Sequence, residues 1–96
     1  MVEIRETVVF ARWLDALDDV HARARILVRI GRLAAGNPGD VRSVGHGVSE
    51  LRIDYGPGYR VYFTRHAQAV VILPAGGSKR TQARDIRTAL RLAGNL

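Results

Sequence analysis

Three basic residues, Arg52, Arg60 and Lys79, occur where the strands of a sheet would bring them together. Residues 50–79 contain two alternating segments joined by Gly56-Pro57-Gly58, then an apolar run, then Gly-Gly-Ser-Lys. If these segments form an antiparallel meander, the end of the last strand lies beside the start of the strand before it. The three cations would then form one patch, and cations held in one place can stabilise the charge that develops on a reacting phosphate.

The alternating segments predict an antiparallel hairpin of residues about 48–55 and 59–66. A three-residue loop keeps the apolar faces of both strands on the same side of the sheet, whereas a two-residue loop would turn one strand over. In that register Arg52 lies opposite Tyr62 and diagonal to Arg60 on the polar face.

Helical spacing dominates the N-terminal third. Thr7 is suited to cap a first helix, and Asp18 and Asp19 are suited to cap a second, which ends at Gly36-Asn37-Pro38-Gly39. The first helix has an apolar stripe with i, i+3, i+4, i+7 spacing: Phe10, Trp13, Leu14 and Leu17. For the second helix we predict one apolar face, widened on one side by larger side chains: Val20, Ala24, Leu27, Gly31 and Ala34, with Ile26, Ile30 and Leu33.

The remaining segments complete an α+β domain over residues 1–96. Residues 2–6 are suited to a short edge strand, residues 37–47 to a loop, and residues 69–73 to a central strand covered on both faces. An amphipathic helix ends the chain, with an apolar stripe: Ala83, Ile86, Ala89, Leu90 and Ala93. The predicted order is β-α-α-β-β-β-α, an antiparallel sheet packed against a helical hairpin and a C-terminal helix.

The amino-acid composition limits the functions that the chain could have. The net charge is +6, and fourteen of the fifteen basic residues are arginine, whose planar fork suits phosphate and carboxylate partners. The chain has no cysteine, so it forms neither a disulfide nor a thiolate metal site. His21, His46 and His66 are not spaced as metal ligands, and we expect no metal or cofactor. No segment is apolar enough for a signal peptide or membrane span, so we expect a cytoplasmic protein with no membrane partner.

Four motifs together resemble the RelE/ParE superfamily of bacterial toxins, in its HigB-like "addiction module killer protein" branch. They are W-L-D-A-L (13–17), R-I-x-x-R-I-x-R-L-x-x-G-N-x-G-D (25–40), G-x-G-V-S-E-L-R-I-x-Y-G-P-G-Y-R-V-Y-F (45–63) and G-G-S-K-x-T-Q-x-x-D-I (76–86). The resemblance spans nearly the whole chain and implies a compact RelE-like α+β domain.

The resemblance implies a type II toxin held inactive by an acidic antitoxin, for this branch a HigA-like helix-turn-helix protein. RelE-like members cleave messenger RNA in the ribosomal A site without a metal, which makes the ribosome and mRNA expected partners. ParE-like members instead poison DNA gyrase. Since a fold does not fix an activity, a gyrase-binding toxin, or a degenerate one that retains only antitoxin binding, is the alternative.

The resemblance also assigns catalytic candidates. Arg60 matches the arginine after G-Y in RelE-like toxins, Lys79 matches the basic position of the turn after the last strand, and Arg52 falls in a basic region with a looser match. Each could instead be a solvated surface cation. RelE-like enzymes carry a tyrosine after the basic turn, where this chain has Asp85. Asp85 is a candidate general base, or else it complements the dipole of the last helix.

Five further residues are candidates for RNA binding. Tyr62 is expected on the polar face, where it could stack on a base, and His46 could reach the cationic patch from its loop. A stripe of arginines on the second helix could contact ribosomal RNA or could be a solvated helix face: Arg25, Arg29 and Arg32.

Overall fold

The computed structural model describes residues 2–96 and contains five strands and three helices within them. In chain order the elements are β1 (Glu3–Glu6), α1 (Val8–Asp15), α2 (Val20–Ala34), β2 (Val41–Gly45), β3 (Val48–Ile53), β4 (Tyr59–His66), β5 (Ala69–Gly76) and α3 (Lys79–Gly94). The strands form one sheet in the order β1-β5-β4-β3-β2. The predicted α+β class is therefore confirmed.

The sheet is mixed, whereas the sequence predicted an antiparallel one. Strands β2 to β5 pair antiparallel, but β1 pairs parallel with β5. The expectation that residues 2–6 form an edge strand is correct. The direction of β1 was not predicted because no hairpin connects it to β5, and hairpin geometry is what fixes strand direction from sequence.

Strand β2 was predicted as loop. Its sequence, V-R-S-V-G, is short, and only Val41 and Val44 are half-buried while the other three residues are exposed. It pairs with β3 alone and contains a bulge between Ser43 and Gly45. An edge strand with a single partner buries so little that its alternation is weak, and the flanking Gly and Pro residues give the segment the composition of a loop.

The β3–β4 hairpin has the predicted faces but a different register. Arg52 pairs with Arg60 and Glu50 pairs with Tyr62, two residues from the predicted pairing. The connection runs over residues 54–58, because Gly56 and Gly58 both have positive φ and extend the turn beyond three residues. A shift of two residues keeps every side chain on its predicted face.

Helices cover both faces of the sheet. The larger core lies under α1 and α2, and its largest buried side chains include Phe10, Ile26, Leu33, Leu51 and Ile72. A smaller cluster lies under α3: Val48, Tyr62, Leu73 and Ala89. Strand β5, between β1 and β4, packs against α1 on one face and α3 on the other, which confirms the predicted central strand.

The helix caps agree with the sequence. The Thr7 hydroxyl accepts a hydrogen bond from the Phe10 N–H, and the Asp19 carboxylate accepts from the His21 and Ala22 N–H groups. The bond from Ala22 is the main reason that the pKa of Asp19 lies below its usual value. Within the described part of the chain, every helix is too short or too polar to traverse a lipid bilayer.

Helix α2 buries only the side of the predicted apolar face that carries the larger residues. Its buried residues are Ala22, Ile26, Ile30 and Leu33. Val20 and Leu27, which were assigned to the principal stripe, are 57% and 49% exposed. Both stripes have helical spacing, and the sheet accepts the one with the larger side chains because burying Ile and Leu stabilises the fold more than burying Ala and Gly.

The last residue of β5, Gly76, must be a glycine because α3 approaches the strand closely at this point. A Cβ atom at Gly76 would lie 2.8 Å from the Cγ atom of Asp85, whose side chain packs directly over the glycine. Such a contact is shorter than any that a real Cβ atom makes, so α3 depends on glycine here to approach the sheet.

We predict that Gly76→Ala lowers the free energy of unfolding by about 1–3 kcal/mol, because the added methyl group overlaps the Asp85 carboxyl. Chemical denaturation of Gly76→Ala, Asp85→Ala and the double variant measures the coupling between the two positions. The loss should be smaller in the Asp85→Ala background. Gly31→Ala is the control: no atom lies within 4 Å of its added Cβ, and the substitution should stabilise α2 by about 0.5–1 kcal/mol. Equal losses at Gly76 in both backgrounds would contradict the contact.

Candidate functional site

A pocket of about 370 Å³ lies at the end of the sheet where β3, β4 and the start of α3 meet. Its lining brings together the three predicted cations, two carboxylates, one aromatic ring and part of the β3–β4 turn: Asp40, Arg52, Ile53, Asp54, Pro57, Gly58, Tyr59, Arg60 and Lys79. The pairing of Arg60 with Gly76 places the turn that carries Lys79 beside the start of β4.

Glu50 holds the two arginines of the pocket together. Arg52 and Arg60 face each other directly across β3 and β4, an arrangement that repels in isolation. The Oε1 atom of Glu50 lies 3.4 Å from the Nε atom of Arg60 and 4.0 Å from the Nε atom of Arg52. Only 1% of the Glu50 side chain is exposed, so its charge acts on both guanidinium groups at low local dielectric.

Further hydrogen bonds fix this group. The Gln82 side chain on α3 donates to the Oε2 atom of Glu50 at 3.0 Å, and an Arg60 NH1 group donates to the Gly58 carbonyl at 3.2 Å. The Arg60 side chain is 11% exposed, which leaves its guanidinium a single approach, through the pocket. Sequence reasoning missed Glu50 as a site residue, although its place on the polar face, two residues before Arg52, was a usable signal.

Lys79 enters the pocket as the first residue of α3. Its neighbour Ser78 occupies the N-cap position but makes no side-chain cap, and the first turn carries no acidic residue. The unshielded N–H groups of this turn add partial positive charge beside the lysine. Carboxylates oppose these charges at the rim, where the Oδ2 atom of Asp40 lies 3.9 Å from the Nε atom of Arg52.

The aromatic residue at the pocket is Tyr59, not Tyr62. Tyr62 was predicted to stack on a base, but it is 0% exposed because α3 covers the polar face of the sheet. No regular hydrogen bond reaches its hydroxyl, which lies near the carboxylates of Glu50 and Asp85. Tyr59 is half-buried, lines the pocket and packs edge-on against Trp13, with ring centroids 5.9 Å apart.

Asp85 does not line the pocket. It lies in the second turn of α3, is 8% exposed and packs over Gly76, with no hydrogen-bond partner for its Oδ2 atom. Asp85 therefore lies outside the pocket that contains the three cations. Its place in the first two turns of α3 is the one that the alternative gave it, a residue that complements the helix dipole, and its side chain is buried.

His46 is also separated from the pocket. It occupies the tight β2–β3 turn with φ 52°, at the end of β3 opposite to Arg52, and lines a groove with Thr64 and His66. Six residues of extended strand separate the two ends of β3, so the predicted contact with the cationic patch does not form. Within residues 2–96, His, Asp and Glu side chains do not gather in any group of three or more that could hold a metal ion.

The three arginines of α2 that were predicted to bind RNA have different environments. Arg29 donates to the backbone carbonyls of Arg52 at 2.6 Å and Pro38 at 3.0 Å, so it joins α2 to the end of β3 and is not a free RNA ligand. Arg25 lies over the Tyr55 ring, with 4.7 Å from its Cζ atom to the ring centroid. Arg25 and Arg32 are exposed, on a groove that lies along α2.

We predict that Glu50→Ala lowers the free energy of unfolding by about 3–5 kcal/mol, because it leaves the Arg60 charge buried without its partner. Glu3→Ala is the matched control, since it removes an ion pair with Arg5 whose side chains are both 61% exposed and should cost less than about 1 kcal/mol. Denaturation curves of the two variants and of Glu50→Gln measure the difference. Equal losses for Glu50→Ala and Glu3→Ala would show that the buried pair does not stabilise the site.

Alkaline pH should destabilise the protein through Tyr62. Burial, and then the nearby Glu50 and Asp85 carboxylates, raise the pKa of Tyr62 well above its usual value of about 10. Above pH 10 the unfolded chain loses this proton while the folded protein keeps it, so the free energy of unfolding falls with rising pH by up to about 1.4 kcal/mol per pH unit. The contribution is intact below pH 10. Denaturation at pH 8–11 should show a weaker decline for Tyr62→Phe than for the wild type, and parallel curves would contradict the prediction.

Two comparisons with known proteins agree with this geometry. The family described as "Phage derived protein Gp49-like (DUF891)" matches residues 12–93, which include Arg52, Arg60 and Lys79. An uncharacterized protein of Haemophilus influenzae (strain ATCC 51907 / DSM 11121 / KW20 / Rd) is 47% identical over 95 residues, covering 99% of this chain and 96% of the relative. The chain therefore belongs to the Gp49-like family of phage-derived proteins, a RelE-like toxin family of toxin–antitoxin systems whose members have an antitoxin partner.

Proposed function

We propose that this toxin, in the manner of the HigB-like branch, cleaves messenger RNA on the ribosome without a metal ion. The supporting observation is the pocket in which Arg52, Arg60 and Lys79 converge, with Arg60 held by Glu50. Arginine forks and a lysine at the start of a helix are groups that bind phosphate oxygens. An open pocket at the end of a sheet leaves room for an RNA backbone rather than an enclosed small molecule.

RNA cleavage depends on stabilisation of the negative charge on the phosphorane more than on any other contribution of the protein. The ribose 2′-hydroxyl loses its proton as its oxygen attacks the adjacent phosphorus, and the bond from phosphorus to the 5′-oxygen breaks. The 5′-oxygen takes up a proton from water, so the products are a cyclic phosphate and a 5′-hydroxyl. Arg60 and Lys79 would stabilise the added negative charge of the phosphorane. Asp40 and Asp54 are the carboxylates on the pocket lining, which makes them the candidates to accept the 2′-hydroxyl proton.

Binding of the message would use two further residues of the pocket. Arg52 is 44% exposed, and its contact with Asp40 is long enough to be exchanged for a phosphate oxygen. Tyr59 presents a half-buried ring already supported by Trp13, a surface on which a base could stack. The lining of the pocket contains no histidine, and its one tyrosine, Tyr59, is placed to stack on a base, so the pocket would depend on the ribosome to position the RNA.

A toxin that binds DNA gyrase without cleaving RNA is the second candidate. It is favoured by the position of Asp85 outside the pocket, since Asp85 stands where RelE-like enzymes carry the tyrosine that the resemblance assigns to proton transfer. In both cases we expect the toxin to act in the cytoplasm and to be held by a HigA-like helix-turn-helix antitoxin.

We predict that Arg60→Ala and Lys79→Ala each reduce message cleavage on the order of 10²-fold, because each removes a cation from the transition state. The measurement is in vitro translation with primer extension on the message, and growth arrest after induction provides the cellular readout. Arg5→Ala, at the other edge of the sheet and paired only with Glu3, is the charge-matched control and should cleave normally.

Two results would count against this function. Uncleaved message with wild-type toxin, together with loss of gyrase supercoiling, would favour the second candidate. Full cleavage by both Arg60→Ala and Lys79→Ala at equal folded concentration would place the active site elsewhere.

A further inference from the structure

Helix α2 carries an apolar stripe on its outer face that no part of the described chain covers. Val20, Leu27 and Val28 are 57%, 49% and 53% exposed. Together with the exposed Ala24 and Gly31 they have spacings of 4, 7, 8 and 11 residues from Val20, which places all five on one side of the helix. We name these five residues the α2 ridge. It lies opposite the stripe that packs against the sheet, so α2 is apolar on two faces.

The α2 ridge has the shape of a binding surface. Single exposed apolar residues are common on protein surfaces, but a continuous apolar stripe marks an interaction site. A groove runs along each side of the ridge. One, of about 370 Å³, includes Ala24, Val28 and Ile53 in its lining, and the other, of about 340 Å³, includes Val20 and Leu27.

Charge around the ridge selects an acidic partner. Helix α2 contains four arginines and a histidine but no acidic residue, and the one carboxylate on the lining of the two grooves is that of Asp15, in the second groove beside Arg23. Arg25 and Arg32 line the first groove with exposed side chains, while Arg29 beside them is already engaged by backbone carbonyls. An apolar stripe bordered by exposed arginines complements an amphipathic helix that carries carboxylates beside its apolar face.

We propose that the α2 ridge is the docking surface for the antitoxin, and that the antitoxin segment seated there is an acidic amphipathic helix. The proposal rests on the toxin–antitoxin character of the family and specifies which surface of the toxin is recognised. A second copy of this chain fits less well, because it would bring arginines against arginines. RNA would pair with Arg25 and Arg32 but would leave Leu27 and Val28 in water.

The ridge adjoins the cation pocket. Ile53 lines both the groove beside α2 and the pocket that contains Arg52 and Arg60, and Arg29 bonds from α2 to the end of β3. A helix docked along α2 would therefore lie next to the pocket without occupying it. Inhibition would come from added bulk at the mouth of the pocket, which would keep the toxin out of the narrow ribosomal A site.

The probe is the protein encoded by the reading frame beside the toxin gene. Titration calorimetry measures its affinity for purified toxin. Leu27→Asp and Val28→Asp should each weaken binding about 30-fold or more, the effect of losing a central apolar contact at an interface. Val8→Asp is the matched control. Val8 is 64% exposed and begins α1, where an aspartate is tolerated, so binding should stay within about twofold.

The arginines are tested separately through the association rate. Arg25→Ala and Arg32→Ala should slow association in stopped-flow measurements, and raising the salt from 0.1 M to 1 M should remove most of the difference from the wild type, since the Debye length shortens from about 10 Å to about 3 Å. Hydrogen exchange of the complex should show new protection within residues 20–32.

Three outcomes would overturn the proposal: no binding of the probe to wild-type toxin, unchanged affinity for both aspartate variants, or a homodimer of free toxin that Leu27→Asp dissociates.

The test of the docking surface is independent of the test of the proposed activity. Leu27→Asp should cleave messages like the wild type yet escape neutralisation by the probe. Wild-type toxin that binds the probe through the ridge but cleaves no message would defeat the proposed function and leave the docking surface in place.

Discussion

The buried carboxylate of Glu50 is the interaction on which the pocket depends. It lies under α3, within 4.0 Å of the Nε atoms of both arginines that face each other across β3 and β4. Without it, the pairing of Arg52 with Arg60 would place two like charges side by side, and one of them would be almost fully desolvated. The carboxylate offsets that repulsion, while the bond from Gln82 makes the arrangement conditional on the docking of α3. The geometry of the pocket therefore depends on the packing of the last helix against the sheet.

That coupling explains the strict requirements one turn further along α3. Asp85 packs over Gly76 without a hydrogen bond to its Oδ2 atom, and Tyr62 is buried beneath the helix with its hydroxyl unbonded. Gln82, which binds Glu50, and Asp85, which packs over Gly76, are three residues apart on α3, so the contacts of both depend on how this helix is seated on the sheet.

The placement of the three cations could be predicted because it depends only on strand alternation and on the order of the strands. A register error of two residues changed the partner of Arg52 from Tyr62 to Arg60 but left both arginines on the same face. The alternation of polar and apolar residues along a strand does not reveal which element covers each face of the sheet. Tyr62 has the pattern of an exposed residue, and its burial follows only from the position of α3, which is a tertiary contact. For the same reason, because sequence patterns carry no information on tertiary contacts, neither the role of Glu50 nor the parallel pairing of β1 was predicted.

Helix α2 shows a different limit of pattern reasoning. Its sequence contains two apolar stripes, and periodicity cannot say which one faces the sheet. Four residues of the stripe that was predicted as core, Val20, Ala24, Leu27 and Gly31, belong to the α2 ridge. An apolar face left outside a small domain suggests a partner more strongly than any motif in that segment. The arginines of the chain divide accordingly: Arg52 and Arg60 serve the pocket, Arg29 is structural, and Arg25 and Arg32 border the ridge. The net charge of +6 is therefore divided between two surfaces, the pocket and the border of the ridge, and each would suit an acidic partner. Because Ile53 lies between those surfaces, the two partners would be close enough to exclude each other.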